Sequence, residues 1–312
     1  MKAVAVDIGG THAACALVQD DRILAFDRLP VGDGALFSSL LPAMADSLDR
    51  LLEGCGFSAA ACAGLAISFP GIVDPFSGRI FSTPKGKYDN ASSLDLRAWC
   101  RQRFGLPFRI ENDAKMALLG ERYAGAARGF DDIVTITLGT GVGVGAMMHG
   151  RLLRGAHFQA CLGGHLPAVF NGRPCRCGNI GCVEAEASTW ALPEICRSWP
   201  GFDRSALARE ARLDFAALFR QSAAGDTVAT QVRDRCLHVW AAGIVGLVHA
   251  YDPDVAVLGG SVMKSANQIL PFLESYVHAH AWSPCAKVRL RAAQLGDKAA
   301  LLGALPLLNE TC

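Results

Sequence analysis

What this 312-residue chain lacks narrows its chemistry before any motif is read. It has almost no surplus charge: 30 Lys and Arg stand against 29 Asp and Glu, a net charge of +1. Nothing in that balance draws nucleic acid or an anionic membrane over a distance, so the expected partner is a small molecule. It lacks a membrane-length apolar run; the longest, residues 239–251, is short and carries His249. No secretory leader is legible, because Asp7 breaks the apolar run of MKAVAVDIGGT, and a cytoplasmic protein is expected. With 51% hydrophobic residues the chain has core enough for two domains, which excludes disorder.

Cysteine is not scarce. Of twelve, Cys15, Cys55, Cys62, Cys100, Cys161, Cys196, Cys236, Cys285 and Cys312 are scattered singly and read as small apolar filler. A chain of this size holds its core without disulfides, so reduced thiols are expected. The other three crowd into one stretch, PCRCGNIGCVE, at residues 174–184.

Strands and helices alternate, the pattern of α/β layers. Strands are expected at residues 4–6, 13–18, 23–29, 64–69, 108–111, 134–138, 142–148 and 255–258, with a hairpin around Asp74-Pro75. Helices are expected at 35–52, 94–104, 114–123, 230–250 and 297–308. Twice the chain runs apolar strand, glycine turn with a threonine, apolar strand, which implies two lobes. The turns contain Gly9, Gly10 and Thr11, then Gly139, Thr140, Gly141 and Gly143. Glycine tolerates positive φ and lets backbone N–H groups converge on an anion, so each turn is either a phosphate nest or a hairpin using glycine for geometry alone. Neither a P-loop nor a dinucleotide fold fits, because no GKS or GKT is present and strands, not helices, follow the glycines.

Asp7 ends a buried strand just before the first turn. It reads as a turn cap or, beside phosphates, as the anchor of a hydrated Mg²⁺. In Glu111-Asn112-Asp113 a strand meets a helix. Asp113 there is an N-cap or a base that takes the proton of a hydroxyl attacking a γ-phosphorus, with Asn112 holding a neighbouring hydroxyl.

Taken in order, Asp7-Ile8-Gly9-Gly10-Thr11, Glu111-Asn112-Asp113, Leu138-Gly139-Thr140-Gly141 and the run His165 through Glu184 resemble the ROK family of sugar kinases and repressors. The resemblance spans nearly the whole chain. It implies an α/β, two-lobed actin-like ATPase (ribonuclease H-like) fold with an interlobe cleft. Residues 1–113 would form the smaller lobe, with the C-terminal helix, 297–312, packing back on it; residues 114–296 would form the larger. The implied activity is that of an ATP-dependent sugar kinase of glucokinase or hexokinase type, or else a non-catalytic sugar-binding regulator. No helix-turn-helix segment precedes the first strand, which argues against DNA binding. Family members are often homodimers.

His165 stands ten residues before Cys175, and Cys175-x-Cys177-x₄-Cys182 completes one imidazole and three thiolates, a set suited to a structural, tetrahedral Zn²⁺. Gly178 and Gly181 would let the loop turn; the alternatives are a thiol-rich loop or a redox pair. By resemblance, ATP phosphates lie on the two turns with Mg²⁺ near Asp7. Its adenosine meets Gly259 and Gly260, unless these form a generic strand-to-helix turn. Gly71, Asn112, Asp113, His165 and Glu184 contact the sugar, and Asp113 is the catalytic base. Three departures bear on substrate. Leu162 replaces a glutamate that would accept a sugar hydroxyl, which implies an altered sugar preference. Pro84-Lys85-Gly86-Lys87 replaces Pro-Asn-Leu, its lysines reading as solvated surface groups or contacts to an anionic substituent. His12 replaces a lysine.

Overall fold

The computed structural model describes residues 1–310, so Cys312 and the end of the expected C-terminal segment lie outside the described residues. The first strand, β1 (Lys2–Ile8), is buried without alternation from Ala3 to Val6, which requires cover on both faces. With β2 (His12–Gln19), β3 (Arg22–Pro30), β4 (Leu65–Phe69) and β7 (Phe108–Asn112) it forms a sheet of order β3-β2-β1-β4-β7. The β1–β2 and β2–β3 pairs are antiparallel; β1–β4 and β4–β7 are parallel. Helix Phe37–Gly54 covers it with Phe37, Leu40, Met44, Leu48 and Leu52, apolar at spacings of three and four. Strands β5 (Ile72–Val73) and β6 (Ile80–Ser82) make the expected hairpin.

The plan repeats. Strands β8 (Ile133–Leu138), β9 (Val142–Met148), β10 (Arg151–Leu152), β11 (Val255–Gly259) and β12 (Arg289–Ala292) order as β10-β9-β8-β11-β12. Here too the first three in sequence pair antiparallel and the last two join parallel. The glycine turns therefore hold equivalent places, joining β1 to β2 and β8 to β9.

Each sheet lies in its own compact unit: Met1–Gly129 with Arg154–Ala160 and the chain from Gln294 onward, and Phe130–Leu153 with Cys161–Ala293. Helix Asp113–Ala124 stays with the first unit, past the boundary expected at Asp113. The reason is close helix packing: a Cβ on Gly120 would sit 1.9 Å from the Ala299 carbonyl oxygen, and one on Gly303 would sit 2.4 Å from that of Met116. The helix expected at 297–308 is broken at Gly303 into Ala299–Leu302 and Ala304–Asn309. In the second unit, helix Thr227–Tyr251 starts before its expected Thr230 because Asp226 caps it, accepting from Ala229 N at 2.8 Å.

Among the described residues no helix is long and apolar enough to cross a membrane. All eleven described cysteines are free, and most of the isolated ones are buried as filler; Cys285 is exposed.

An ion triad around the buried Glu111 holds segment Arg154–Ala160 in the first unit. Arg154 Nε donates to Glu111 Oε2 at 2.6 Å and its guanidinium also reaches Glu310, while Glu111 is 1% exposed. Removing one partner of such a set costs about 3–5 kcal/mol. Arg154→Ala is expected to lower the unfolding free energy by about that amount in a denaturant titration, with Arg154→Lys recovering part of it.

Candidate functional site

At the end of β1, register places Asp7 beside Ser68 of β4, whose hydroxyl donates to Asp7 Oδ1 at 2.6 Å. Burial pushes the Asp7 carboxyl up to about 6; the Ser68 bond opposes this, while the charges of Asp113 and Asp297 add to it. A half-buried carboxylate with two acidic neighbours is a place where a divalent cation restores balance.

At the end of β7, Asn112 takes the capping role that the sequence left open for Asp113. Its Oδ1 accepts from Ala114 N at 3.1 Å and Lys115 N at 3.4 Å. Its Nδ2 donates to Asp113 Oδ1 at 2.9 Å and to the Gly71 carbonyl at 3.1 Å. Gly71, Asn112 and Asp113 are thus brought together beyond the carboxyl ends of β4 and β7, where open α/β sheets bind ligands. Burial lifts the Asp113 carboxyl above the ordinary carboxylate range, against donation from Ala114 N–H and the Asn112 amide.

The turns are built differently from expectation. None of Gly9, Gly10, Gly139, Gly141 and Gly143 adopts positive φ. Close approach favours glycine instead: a Cβ on Gly9 would lie 3.0 Å from the His12 carbonyl oxygen, and one on Gly141 would lie 2.4 Å from Glu184 Oε2 and displace that side chain. Gly10 faces open space and Gly139 has only Ser261 Oγ at 3.9 Å, so no side chain stands over either turn. Gly143 lies inside β9, opposite Thr137.

Sequence reading missed what grips the first turn. Lys87 Nζ donates to the Gly10 carbonyl, and the Tyr88 hydroxyl to that of Gly9. Lys87 is mostly covered, its ammonium 3.4 Å from Asp33, whereas Lys85 is exposed. Thr11 Oγ1 lies 3.1 Å from His12 Nδ1.

In the second unit Glu184 shapes its own glycine turn. Oε2 accepts from Val142 N at 2.9 Å and Oε1 from Trp190 Nε1 at 3.2 Å, leaving further lone pairs for a hydroxyl. Thr189 N and Trp190 N donate to the Gly139 and Thr140 carbonyls. Gly260, at φ 90°, brings the turn after β11 against this one: a Cβ there would sit 2.2 Å from the Leu138 carbonyl oxygen.

His165, Cys175, Cys177 and Cys182 converge, their ligand atoms all within 4.8 Å of one another. His165 Nδ1 lies 3.6 Å from Cys175 Sγ, and Cys177 Sγ lies 3.7 Å from Cys182 Sγ. A tetrahedral ion with bonds of about 2.3 Å to sulfur and about 2.1 Å to nitrogen spaces its ligands by roughly 3.6–3.8 Å. Gly181, at φ 70°, is indispensable: a Cβ would meet the Val169 carbonyl oxygen at 1.8 Å. Burial and the neighbouring thiols push Cys182 up to about 12, because thiols this close do not all ionise without a cation among them. Leu162, three residues before His165, is 50% exposed.

Two sheets of one repeated plan, each with a glycine turn between its first strands, and a carboxylate ending the first of them, make this an α/β protein of the actin-like ATPase fold. The ROK family profile matches residues 3–311, and the chain belongs to that family. It is 30% identical over 318 residues to a glucokinase of Thermotoga maritima, covering 99% of this chain and 98% of that one. A solved ROK family glucokinase from Streptomyces griseus, in complex with glucose and AMPPNP, matches with TM-score 0.78 and 28% identity over 98% of this chain and 99% of that one. A xylose repressor of Bacillus subtilis is 27% identical over 241 residues, 77% of this chain and 59% of the repressor.

Proposed function

We propose that this protein is an ATP-dependent sugar kinase that transfers the γ-phosphoryl group to a sugar hydroxyl. The observation that carries this reading is the set Gly71, Asn112 and Asp113, tied by hydrogen bonds beside the half-buried Asp7. Asn112 fixes one oxygen of Asp113, so the carboxylate is oriented before substrate arrives. Its raised pKa makes it a stronger base toward the hydroxyl proton than an ordinary aspartate. The turns at Gly10 and at Gly139, each with no side chain over it, are where phosphate oxygens approach, and the turn at Gly259 and Gly260 is where the adenosine end does. In the first unit the Gly71 carbonyl and Asn112, and in the second His165 and Glu184, are the groups offered to sugar hydroxyls.

Mg²⁺, held at Asp7, would supply charge neutralisation at the phosphates. Zn²⁺ fits His165, Cys175, Cys177 and Cys182; four protein ligands close its shell, which makes the metal structural. With Nδ1 of His165 turned to the thiols, Nε2 is the nitrogen left for a sugar hydroxyl. Free thiols in that set suit a reducing compartment, the cytoplasm.

The pH response of Asp7 follows from its shift. The folded state holds that proton more tightly than the unfolded chain, so the stability from this group is full below about 3.8 and lost as pH rises through about 6. Thermal unfolding of the magnesium-free protein should show a decline in Tm across that window, which Mg²⁺ with nucleotide reverses near neutral pH. In Asp7→Asn the decline should be smaller, the part that comes from the raised carboxyl of Asp113 remaining.

The test of function is release of ADP, coupled to an optical readout, from ATP and Mg²⁺ with a panel of hexoses and N-acylhexosamines. Turnover with at least one sugar is expected. Leu162 and the similarity to a xylose repressor favour a second reading, a sugar-responsive regulator; sugar binding with no turnover on any member of the panel would establish it.

A further inference from the structure

Three aromatic rings stand at the surface of the first unit, outside its core. Phe158 stacks on Phe81 at 6.0 Å with 13° between planes, and meets Phe76 at 6.4 Å. Phe76 and Phe81 remain 43% and 48% exposed. Both come from the β5–β6 hairpin, which begins at Ile72, the residue after Gly71. Phe158 sits at φ 60°, a conformation that a bulky residue keeps only when its surroundings fix it. Lys115, two residues past Asp113, does so: its Nζ donates to the Phe158 carbonyl at 3.2 Å. Arg154 lies over the Phe76 ring at 5.5 Å while bonded to Glu111, the residue before Asn112. Each ring is therefore tied to the backbone that presents Gly71, Asn112 or Asp113. Rings serving only to clasp the hairpin would be covered; these leave a contiguous apolar ledge in water.

We infer that this ledge is a subsite for a substituent on the acceptor sugar, so that the preferred substrate is a glycoside rather than a free hexose. The inference rests on the kinase reading above. The ligand chemistry is a flat apolar face: an aryl group, or the C–H face of a second sugar ring.

The test compares kcat/KM for glucose, phenyl β-glucoside and cellobiose in the wild type, Phe81→Ala, Phe76→Ala and Phe81→Trp. The wild type should favour one of the glycosides over glucose by about tenfold, the scale of one well-made aromatic contact. Preference for the phenyl compound identifies an aryl substituent, and preference for cellobiose a second sugar. The glycoside-to-glucose ratio should fall by about the same factor in either alanine variant and persist in Phe81→Trp. A wild type that prefers glucose, or an Phe81→Ala change that lowers all three substrates alike, overturns the subsite. If no sugar is turned over, the kinase reading fails separately. Calorimetric binding of phenyl β-glucoside and glucose to wild type and Phe81→Ala then decides the subsite by the same ratio.

Discussion

Asp113→Asn is expected to lose turnover by about a thousandfold while both substrates still bind. A positioned general base contributes roughly 10²–10⁴ in rate, and an amide of the same shape cannot take the hydroxyl proton. The helix itself should keep its cap, because Asn112 Oδ1 accepts from Ala114 N and Lys115 N, and a carboxamide oxygen at residue 113 can still accept from Ala114 N as Asp113 Oδ1 does at 2.8 Å. The Asn112 amide can still donate to a carboxamide oxygen at residue 113, so calorimetric affinities for sugar and nucleotide should change little. The wild-type rate should fall as pH drops through the raised pKa of Asp113, at a higher pH than an unperturbed aspartate would give, because only the ionised form accepts the proton. An Asp113→Asn protein with normal kcat would remove that residue from the chemistry.

Loss of the zinc proposed for His165 and the three cysteines should have the largest effect on stability. Apparent binding free energies of structural zinc are about 10–16 kcal/mol, and much of this is folding free energy. Cys175 and Cys182 pack with Ala185 in a small cluster capped by Trp190, and Trp190 in turn bonds Glu184 beside the second glycine turn. Cys182→Ser, or prolonged chelation, is therefore expected to release about one zinc per chain, lower Tm steeply and impair nucleotide binding along with it. Elemental analysis of the purified protein checks the first point and calorimetric unfolding the second. A metal-free protein of unchanged Tm would reduce the four residues to a thiol-rich loop.

The strands and the repeated glycine turns were legible because buried central strands are written as unbroken apolar runs and the turns interrupt them at the same point twice. The histidine and three cysteines were legible from spacing alone. What escaped is long-range. Positive φ was the wrong reason for glycine at position 141, because the side chain that excludes a Cβ belongs to Glu184, in contact with Val142 across 42 residues of sequence. The grip of Lys87 on the Gly10 carbonyl spans 77 residues, and no local pattern separates it from a surface lysine. Asn and Asp cap helices about equally well, so Asn112-Asp113 could not be divided between cap and base without the bonds themselves. Gly303 is glycine for a similar reason, the Met116 carbonyl being its neighbour in space only.

The most direct measurement is phosphorus NMR on the purified protein mixed with ATP, Mg²⁺ and an excess of the sugar it binds. A sugar phosphomonoester resonance growing in step with ADP, and absent when Asp113→Asn replaces the wild type, is the predicted result. ADP and inorganic phosphate without a phosphomonoester, or unchanged ATP in the presence of bound sugar, would contradict phosphoryl transfer to an alcohol.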